Sequence, residues 1–429
     1  MDAPKAPNDA TLDRKTTGAW LVHHTNKLNA IETLPKAFGK INVAGKATQL
    51  LSALSASADS TLNADQVTAL AHATNIEEHM VLPALLDILE REKLLDRSSD
   101  GGIHVLGVTQ STILARGSQI FDGLNPSGEE RAAIALAEQA SVAPIEDSGM
   151  AEWLGDNHHL SKAQVANVLD LSTQIGFVDQ EAIDASRKLL FNGNLFRRDN
   201  VQKVQKVLAS LGQADVALVR EFEGKLKREG CVLLSDANAM LGEKTARKLF
   251  SVGMFDVSVV SNNKDNTSFV TLPAAFSKYS DPFVDDALDL AKALVSSITY
   301  GMKMSAASRG QIRMPEKLLT RLINGQWIGP VPAIGEDYKI LEMKRVVEIQ
   351  KEKWGYSMRL LKREVGEVAR DVLLSGDASA NRMTTIPMAS VNSYRRPELQ
   401  REMIRKKQIN DRAGTRDVLL AIRTGRFPT

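Results

Sequence analysis

Few residues of this chain stand in a pattern that supports catalysis. Gly242-Glu243-Lys244-Thr245 has the residue types of a phosphate-binding loop, but its glycine and lysine are not adjacent and the upstream glycine is missing. The pairs His23-His24 and His158-His159 place neighbouring rings on different sides of a helix, where they chelate a metal poorly. We therefore predict neither a phosphate loop nor a metal site.

A nuclease-like pattern is present but weak. Asp337, Glu342 and Lys344 have the residue types of a nuclease site, yet the apolar spacing around them predicts a helix and not a strand. The chain lacks both Gly-x-Ser-x-Gly and His-Glu-x-x-His. We expect a protein without enzymatic activity and without cofactors, and we keep an unrecognised enzyme as an alternative.

The basic residues, in contrast, are concentrated at one end of the chain. Residues 301–429 contain 25 Lys and Arg against 14 Asp and Glu, a balance of +11, whereas residues 1–300 have a balance of −9. A basic end on an acidic body predicts a polyanionic partner, most often nucleic acid. An unevenly charged surface, or acidic and basic faces that meet within an oligomer, would give the same composition.

Composition limits the other classes of protein. With 429 residues, of which 43% are apolar and 25% charged, we expect about two to four globular domains. No apolar run approaches the roughly 18–20 residues of a membrane span, and no secretory signal is recognisable. Cys231 is the only cysteine, which excludes an intrachain disulfide and fits a cytoplasmic location. Aromatic residues amount to 5%, so duplex DNA fits better than single strands bound by base stacking.

A pattern of three helices followed by two short strands occurs clearly three times. In the first copy, we predict a helix from Ile41, a short helix after the N-cap Asn63, a third helix over 77–92 and a hairpin that turns at 96–102. In the next clear copy, the predicted elements are helices over 216–230, 235–241 and 243–252 and hairpin strands over 256–260 and 267–271.

The last copy and a weaker second copy complete the pattern. The last copy predicts helices over 284–300, 316–323 and 335–345, a hairpin over 346–361 and a closing helix over 363–374. The second copy predicts helices over 129–140, 150–154, 163–175 and 200–211 and a tight hairpin over 189–196 on Asn192-Gly193. A degenerate copy and a helical spacer both fit this second segment.

This order of elements resembles the winged helix-turn-helix superfamily, over about two thirds of the chain. The resemblance implies a mainly α protein with short β-hairpins, an α+β fold of tandem winged-helix units joined by helices. The boundaries that we expect are a flexible arm at 1–17, unit 1 at 18–123, a helical or degenerate unit 2 at 124–212, unit 3 at 213–280, unit 4 at 281–375 and a basic C-terminal tail at 376–429.

Basic residues of units 3 and 4 and of the tail are the candidate DNA contacts. In this superfamily the third helix can lie in the major groove while the hairpin, or wing, touches the backbone. The positions implied on unit 3 are Lys244, Thr245, Arg247 and Lys248 on the third helix and Lys264 at the wing tip. Those on unit 4 are the loop residues Arg309 and Arg313 and the wing residues Lys351, Lys353, Arg359 and Lys362. The tail adds Arg401, Arg405, Lys406 and Lys407, which can follow a DNA backbone or dock onto a partner. Solvated residues without a ligand would give the same pattern.

The third helix of unit 1 differs, because it carries the acidic residues Glu77, Glu78, Asp87, Glu90 and Glu92. Such a helix repels phosphate, so we expect it to pack against another domain or subunit. We predict a non-enzymatic protein that engages duplex DNA through its C-terminal units, as a regulator or as the DNA-recognising subunit of a larger bacterial complex, for example in phage defence or DNA maintenance. The alternative is an assembly scaffold whose winged helices bind protein subunits or a second copy of the chain. No membrane partner is expected, since the apolar face of the tail is too short.

Overall fold

The computed structural model describes residues 12–29, 38–57, 61–98, 102–109, 112–184, 186–262, 266–279 and 285–382. In these ranges the chain is mainly helical, and its strands form small antiparallel sheets of two or three strands each. This confirms the expected α+β class. Four successive groups of elements, which we call modules 1 to 4, are described in turn.

The first helix, α1 (Arg14–Leu28), begins within the segment that we expected to be a flexible arm. Asp13 caps it, since the Asp13 carboxylate accepts a hydrogen bond from the Thr16 backbone N–H at 2.9 Å. Residues 18–25 are all buried, so this helix has no polar face from which a helical period could be recognised. Residues 14–17 of the expected arm are therefore helical.

Module 1 (residues 39–105) has three helices and a hairpin in the predicted order. Its elements are α2 (Gly39–Ser55), α3 (Ala64–Ala73), α4 (Val81–Arg91), β1 (Leu95–Arg97) and β2 (Ile103–Val105). Leu62, just before α3, pairs with Ile103 beside β2. α4 begins at Val81 and not at Glu77, because the Glu77 carboxylate accepts the backbone N–H groups of His79 and Met80 and holds a turn there. α5 (Ile113–Gly123) then packs with α1 and α2.

Module 2 (residues 128–191) is the segment that fitted either a degenerate copy or a spacer. Its elements are α6 (Gly128–Val142), β3 (Ile145–Glu146), α7 (Asp147–His158), α8 (Lys162–Ile175), β4 (Asp179–Ala182) and β5 (Lys188–Phe191). The strand order is β3-β5-β4. The predicted hairpin over 189–196 is wrong, because β5 pairs with β3 and β4 and the Asn192-Gly193 turn follows the sheet. α9 (Val201–Ala209) leads to the next module.

Module 3 (residues 213–271) follows the sequence pattern most closely. Its elements are α10 (Gln213–Glu229), β6 (Cys231–Leu233), α11 (Leu234–Leu241), α12 (Glu243–Ser251), β7 (Asp256–Ser261) and β8 (Asn266–Thr271), with strand order β6-β8-β7. Gly230 ends α10 with a φ of +70°, and a Cβ there would lie 2.5 Å from the Val372 carbonyl oxygen. Only glycine therefore allows the end of α10 to lie this close to the backbone of Val372. α13 (Ala274–Ser277) follows.

Module 4 (residues 285–360) departs from the predicted helices. Its elements are α14 (Asp285–Lys303), α15 (Pro315–Ile323), β9 (Ile328–Val331), α16 (Ile334–Asp337), α17 (Lys339–Met343), β10 (Val347–Glu352) and β11 (Gly355–Leu360), with strand order β10-β11-β9. The single helix predicted over 335–345 is wrong: the chain breaks at Tyr338, whose φ is −117° and whose ring is buried. In modules 2 and 3 the first strand directly follows the first helix, whereas in module 4 helix α15 lies between α14 and β9. Helix α15 is therefore additional to the pattern of those modules.

Two helices close the described chain, α18 (Arg363–Ser375) and α19 (Ser379–Arg382). Ala378 and Ala380 are buried, although the sequence placed them at the start of a basic tail. α18 packs against α14 and α15, and α19 contacts α1. The last helices thus tie the two ends of the described chain together.

The modules stack in series through their sheets. On the sheet of module 3, Val232 and Val270 belong to the core beneath α10, α11 and α12, while Cys231 and Phe269 belong to the core that contains α14. In module 2, Leu190 of β5 faces the core that includes α6, and Leu189 and Phe191 face the core of module 3. Strands β5, β6 and β8 of these two sheets therefore contribute side chains to a core on each face, whereas the outer strands β4 and β7 are partly exposed.

Candidate nucleic-acid interface

Helix α12 presents a basic face to solvent. Apolar residues recur in α12 at helical spacing, so Ala246 and Leu249 lie on one side and are buried in the core of module 3. The opposite side carries an open depression lined by Glu243, Lys244, Arg247, Lys248 and Ser251. The structure therefore brings together three of the four predicted residues of this helix.

The predicted residues of α12 differ in what they contact. Arg247 pairs with Glu243 one turn earlier, at 2.6 Å, on a fully solvated surface. Thr245 is half-buried and its hydroxyl donates to the Asp215 carboxylate at 3.5 Å, so it faces α10 and not the depression. The Lys248 ammonium lies 3.5 Å from the Ser210 hydroxyl. Within the described ranges, Lys244 has no carboxylate partner.

The N-terminus of α12 adds positive potential at the same place. Gly242 occupies the cap position with a φ of +74°, and no side chain accepts the first N–H groups of the helix. A helix N-terminus carries about half a unit of positive charge and unsatisfied N–H donors. Lys244 lies in this first turn, so backbone donors and an ammonium group can contact the same anion.

Helix α9 extends this surface with two residues that the sequence analysis missed. Lys203 and Lys206 are exposed, and the i+3 and i+4 steps place Lys203, Lys206 and Ser210 on one side of α9. Ser210 contacts Lys248, so this side borders α12. We call the resulting surface the α9–α12 basic face: Lys203, Lys206, Lys244, Arg247 and Lys248. The lysine spacing on an amphipathic helix was visible in the sequence, but nothing there indicated that α9 packs beside α12.

The wing of module 3 is occupied by contacts with module 4. Asp256 of β7 forms an ion pair with Lys292 of α14 at 2.7 Å. Asn262, at the end of β7, donates to the Tyr300 hydroxyl at 2.7 Å and to the Asp337 carboxylate at 3.1 Å. Lys264, the predicted wing-tip contact, lies outside the described residues. Module 4 therefore contacts this hairpin both at its base, through Asp256, and at the start of its turn, through Asn262.

Arg309 is part of the same inter-module contact and is not presented to a ligand. Its guanidinium lies 2.7 Å from Glu336 and 3.1 Å from Asp337, and its side chain is 11% exposed. Burial raises the pKa of Asp337, while the neighbouring Arg309 guanidinium opposes that rise. Arg313, four residues further along the loop, is exposed and remains available.

The wing of module 4 is solvated and carries aromatic as well as basic side chains. Lys351, Lys353 and Trp354 are exposed around the tip, and Trp354 is 78% exposed. At the other end of β11, the Arg359 guanidinium lies 2.7 Å from Glu348 and 5.2 Å from the centroid of the Trp327 ring. Lys362 is half-buried at the start of α18. Of the predicted wing residues, Lys351 and Lys353 are the most available to an anion.

Other predicted residues lie elsewhere. Arg401, Arg405, Lys406 and Lys407 fall outside the described residues. On the acidic helix of module 1, Asp87 and Glu90 pair with Arg97 of β1, at 2.6 and 3.4 Å. These two carboxylates of α4 therefore form ion pairs with the β1–β2 hairpin of the same module.

The adjacent histidines of α1 are packing residues. The ring of His24 stacks on Phe177 with centroids 3.7 Å apart, and the Nδ1 atoms of His23 and His24 are 3.2 Å apart. Burial lowers the pKa of His24 to about 3 and that of His23 well below its ordinary value. Both rings are neutral at physiological pH and neither faces solvent.

No protein-family model, curated protein sequence or solved structure matches this chain. No helix of the described ranges is both long and apolar enough to cross a membrane. Among the same residues, no group of three or more histidine, cysteine or acidic side chains is arranged to hold a metal ion. The functional argument therefore rests on the geometry of the basic surfaces.

Proposed function

We propose that this chain is a non-enzymatic, cytoplasmic protein of tandem winged-helix modules that binds duplex DNA through the α9–α12 basic face. The observation that carries the proposal is the exposed side of α12, where Lys244, Arg247 and Lys248 lie together beside an uncapped helix N-terminus. Phosphates suit such a surface, since the lysines and the helix dipole are both positive there. A regulator and a DNA-recognising subunit of a larger complex would both use this face.

The strand order supports the winged-helix part of the proposal. In modules 2, 3 and 4, the first strand of the module (β3, β6 and β9) pairs with its last strand (β5, β8 and β11). The last strand also pairs with the other strand of its hairpin. Module 1 makes the equivalent bridge through Leu62 and Ile103. In this scheme α12 is the third helix of module 3, the element that a winged helix can place in the major groove.

The salt dependence of binding follows from the number of available cations. Glu243 offsets Arg247, which leaves Lys203, Lys206, Lys244 and Lys248 without a carboxylate partner among the described residues. Four phosphate contacts predict a slope of about −3.6 for log K against log salt. The dissociation constant should then rise about 150-fold between roughly 50 and 200 mM salt.

The test is an electrophoretic or anisotropy titration of a 25-base-pair duplex at those two salt concentrations. The variant K244E/R247E/K248E should bind at least about 100-fold more weakly at low salt, since two or more phosphate contacts are lost and repulsion replaces them. A control for overall charge is K317E/R321E, which reverses two charges where the α12 variant reverses three, because Lys317 and Arg321 are exposed one turn apart on α15. The control should bind like the parent chain.

Equal affinity of the parent and the α12 variant would refute the assignment of this face. Circular dichroism of both variants establishes that each is folded before binding is compared. Loss of affinity in the control as well would show that overall charge, and not the α9–α12 basic face, determines binding.

A second candidate function is an assembly scaffold, which one observation favours. Met80 at the start of α4 is 82% exposed, and Ile340 and Met343 of α17 are 61% and 80% exposed. Large apolar side chains on third-helix elements suit protein contacts better than DNA contacts. Light scattering at about 0.2 and 20 µM chain decides between the two functions: a monomer at both concentrations that purifies without a partner excludes the scaffold.

A further inference from the structure

The tip of the module 4 hairpin carries an exposed tryptophan, Trp354. Glu352 pairs with Gly355, so Lys353 and Trp354 are the two residues of the turn itself. Neither residue has a positive φ, since the positive φ of this turn falls on Gly355, at +147°. The backbone of the turn therefore does not require a particular side chain at position 354. An exposed tryptophan also gains little from packing there, so neither the turn nor the core accounts for this side chain.

The other three tryptophans contact protein groups: the Trp327 ring, which is 39% exposed, lies 5.2 Å from the Arg359 guanidinium. Trp20 is fully buried in the core that contains α1 and α6, and Trp153 packs against the same core. Trp354, at 78% exposure, is the most solvated aromatic side chain of the described residues. Its indole ring is therefore accessible to a flat partner on the face that Lys353 does not cover.

The charges around Trp354 are positive on balance, with Lys351 and Lys353 against Glu352. Glu352 accepts a hydrogen bond from the Ser357 hydroxyl, which turns that carboxylate back onto the sheet. Lys353 lies 5.6 Å from the centroid of the Trp354 ring, and Lys351 is exposed two residues before it. Within the described ranges neither lysine has a carboxylate partner. An aromatic face beside two ammonium groups matches a nucleotide, which combines a flat base with a phosphate.

We infer that the hairpin tip (Lys351, Lys353 and Trp354) is a contact for an unpaired base in DNA, at a bulge, a nick or an end. Trp354 stacks on the base while the lysines bind the adjacent phosphates. This inference rests on the proposed function, since the α9–α12 basic face supplies binding to continuous duplex. It adds a preference for interrupted over continuous DNA, which lysines alone do not provide.

The experiment compares two DNA probes that differ by a single nucleotide. One is a 25-base-pair duplex whose ends are closed by non-nucleotide linkers, and the other is the same probe with one bulged adenine. Stacking of one base on an aromatic side chain corresponds to about 5- to 150-fold in affinity. The parent chain should prefer the bulged probe by a factor in this range, and W354A should bind both probes alike. The control W153F, at a partly buried tryptophan of α7, should keep the preference.

Tryptophan fluorescence provides an independent measurement. Saturation with the bulged probe should quench the emission of the parent chain, and the quenched fraction should disappear in W354A. A parent that binds both probes equally, or a preference that survives in W354A, would overturn the inference while leaving duplex binding in place. Loss of binding to both probes in K244E/R247E/K248E tests the proposed function separately. Emission that responds to vesicles of anionic phospholipid but not to the bulged probe would assign the tip to a membrane surface and also overturn the inference.

Discussion

The buried histidine pair of α1 predicts that the protein loses stability in mild acid. His24 is fully buried against Phe177, and its pKa falls from about 6.5 in the unfolded chain to about 3 in the folded protein. Between these two values the unfolded chain binds a proton that the folded protein does not bind. Stability is therefore complete above pH 6.5 and falls as the pH decreases toward 3.

The magnitude follows from the separation of the two pKa values. At about 1.4 kcal/mol for each pH unit, His24 should cost about 2 kcal/mol at pH 5 and about 5 kcal/mol by pH 3. His23 acts in the same direction, since burial also lowers its pKa. Glu223 and Asp337 act in the opposite direction, because burial raises the pKa of each carboxyl. A comparison of variants is thus more informative than the total pH dependence.

The variant for this test is His24→Phe, which keeps a flat ring against Phe177 and removes the titrating group. Urea unfolding followed by circular dichroism at pH 7.5, 6.5, 5.5 and 5.0 gives the free energy of unfolding at each pH. Between pH 7.5 and 5.0 the parent should lose about 2 kcal/mol more than this variant. The exposed His79→Gln serves as the control and should lose as much as the parent. If His24→Phe and the parent lose the same free energy, the reasoning from burial is refuted.

Three further predictions concern packing and charge. Arg309→Met should lower the free energy of unfolding by about 3–5 kcal/mol in urea titrations, because it leaves the buried Asp337 carboxylate without a cation; the double variant with Asp337→Asn should recover part of the loss. Phe269→Ala should cost about 3–5 kcal/mol in the same measurement, since its ring is fully buried between the sheet of module 3 and α14. The double variant K203Q/K206Q should make the salt slope of duplex binding shallower by about 1.8, measured by anisotropy between 50 and 200 mM salt, and an unchanged slope would remove α9 from the interface.

The sequence predicted best those elements whose signals are local. The hairpin of module 3 follows from β-branched alternation around an Asn-rich turn, and β7 and β8 lie where that pattern placed them. Likewise, Asn63 caps α3 through a reciprocal pair of hydrogen bonds with Gln66. Short-range chemistry of this kind needs no knowledge of tertiary contacts.

The misses have a common physical cause in long-range burial. Helix α1 is enclosed on all sides over residues 18–25, so it shows no amphipathic period. The break at Tyr338 arises because its ring is buried, which helical spacing alone does not indicate. Arg309 looked like a free loop cation, yet its acidic partners Glu336 and Asp337 lie far along the chain. The same limit applies to the candidate site, where Lys203 and Lys206 gain importance only from the packing of α9 beside α12.

The burial of hairpins decides which surfaces remain for a ligand. The hairpin of module 3 contacts α14 at both ends, through Asp256 at its base and through Asn262 at the start of its turn, so these positions are committed to packing and not to a DNA backbone. Contacts from this module must then come from the face of α12 and from its neighbour α9. In module 4 the situation is reversed: the third-helix element α17 is short and exposes Ile340 and Met343, whereas the hairpin is solvated and basic. Under the proposed function, the helix of module 3 and the hairpin of module 4 are thus complementary parts, the first for continuous duplex and the second for an interruption in it.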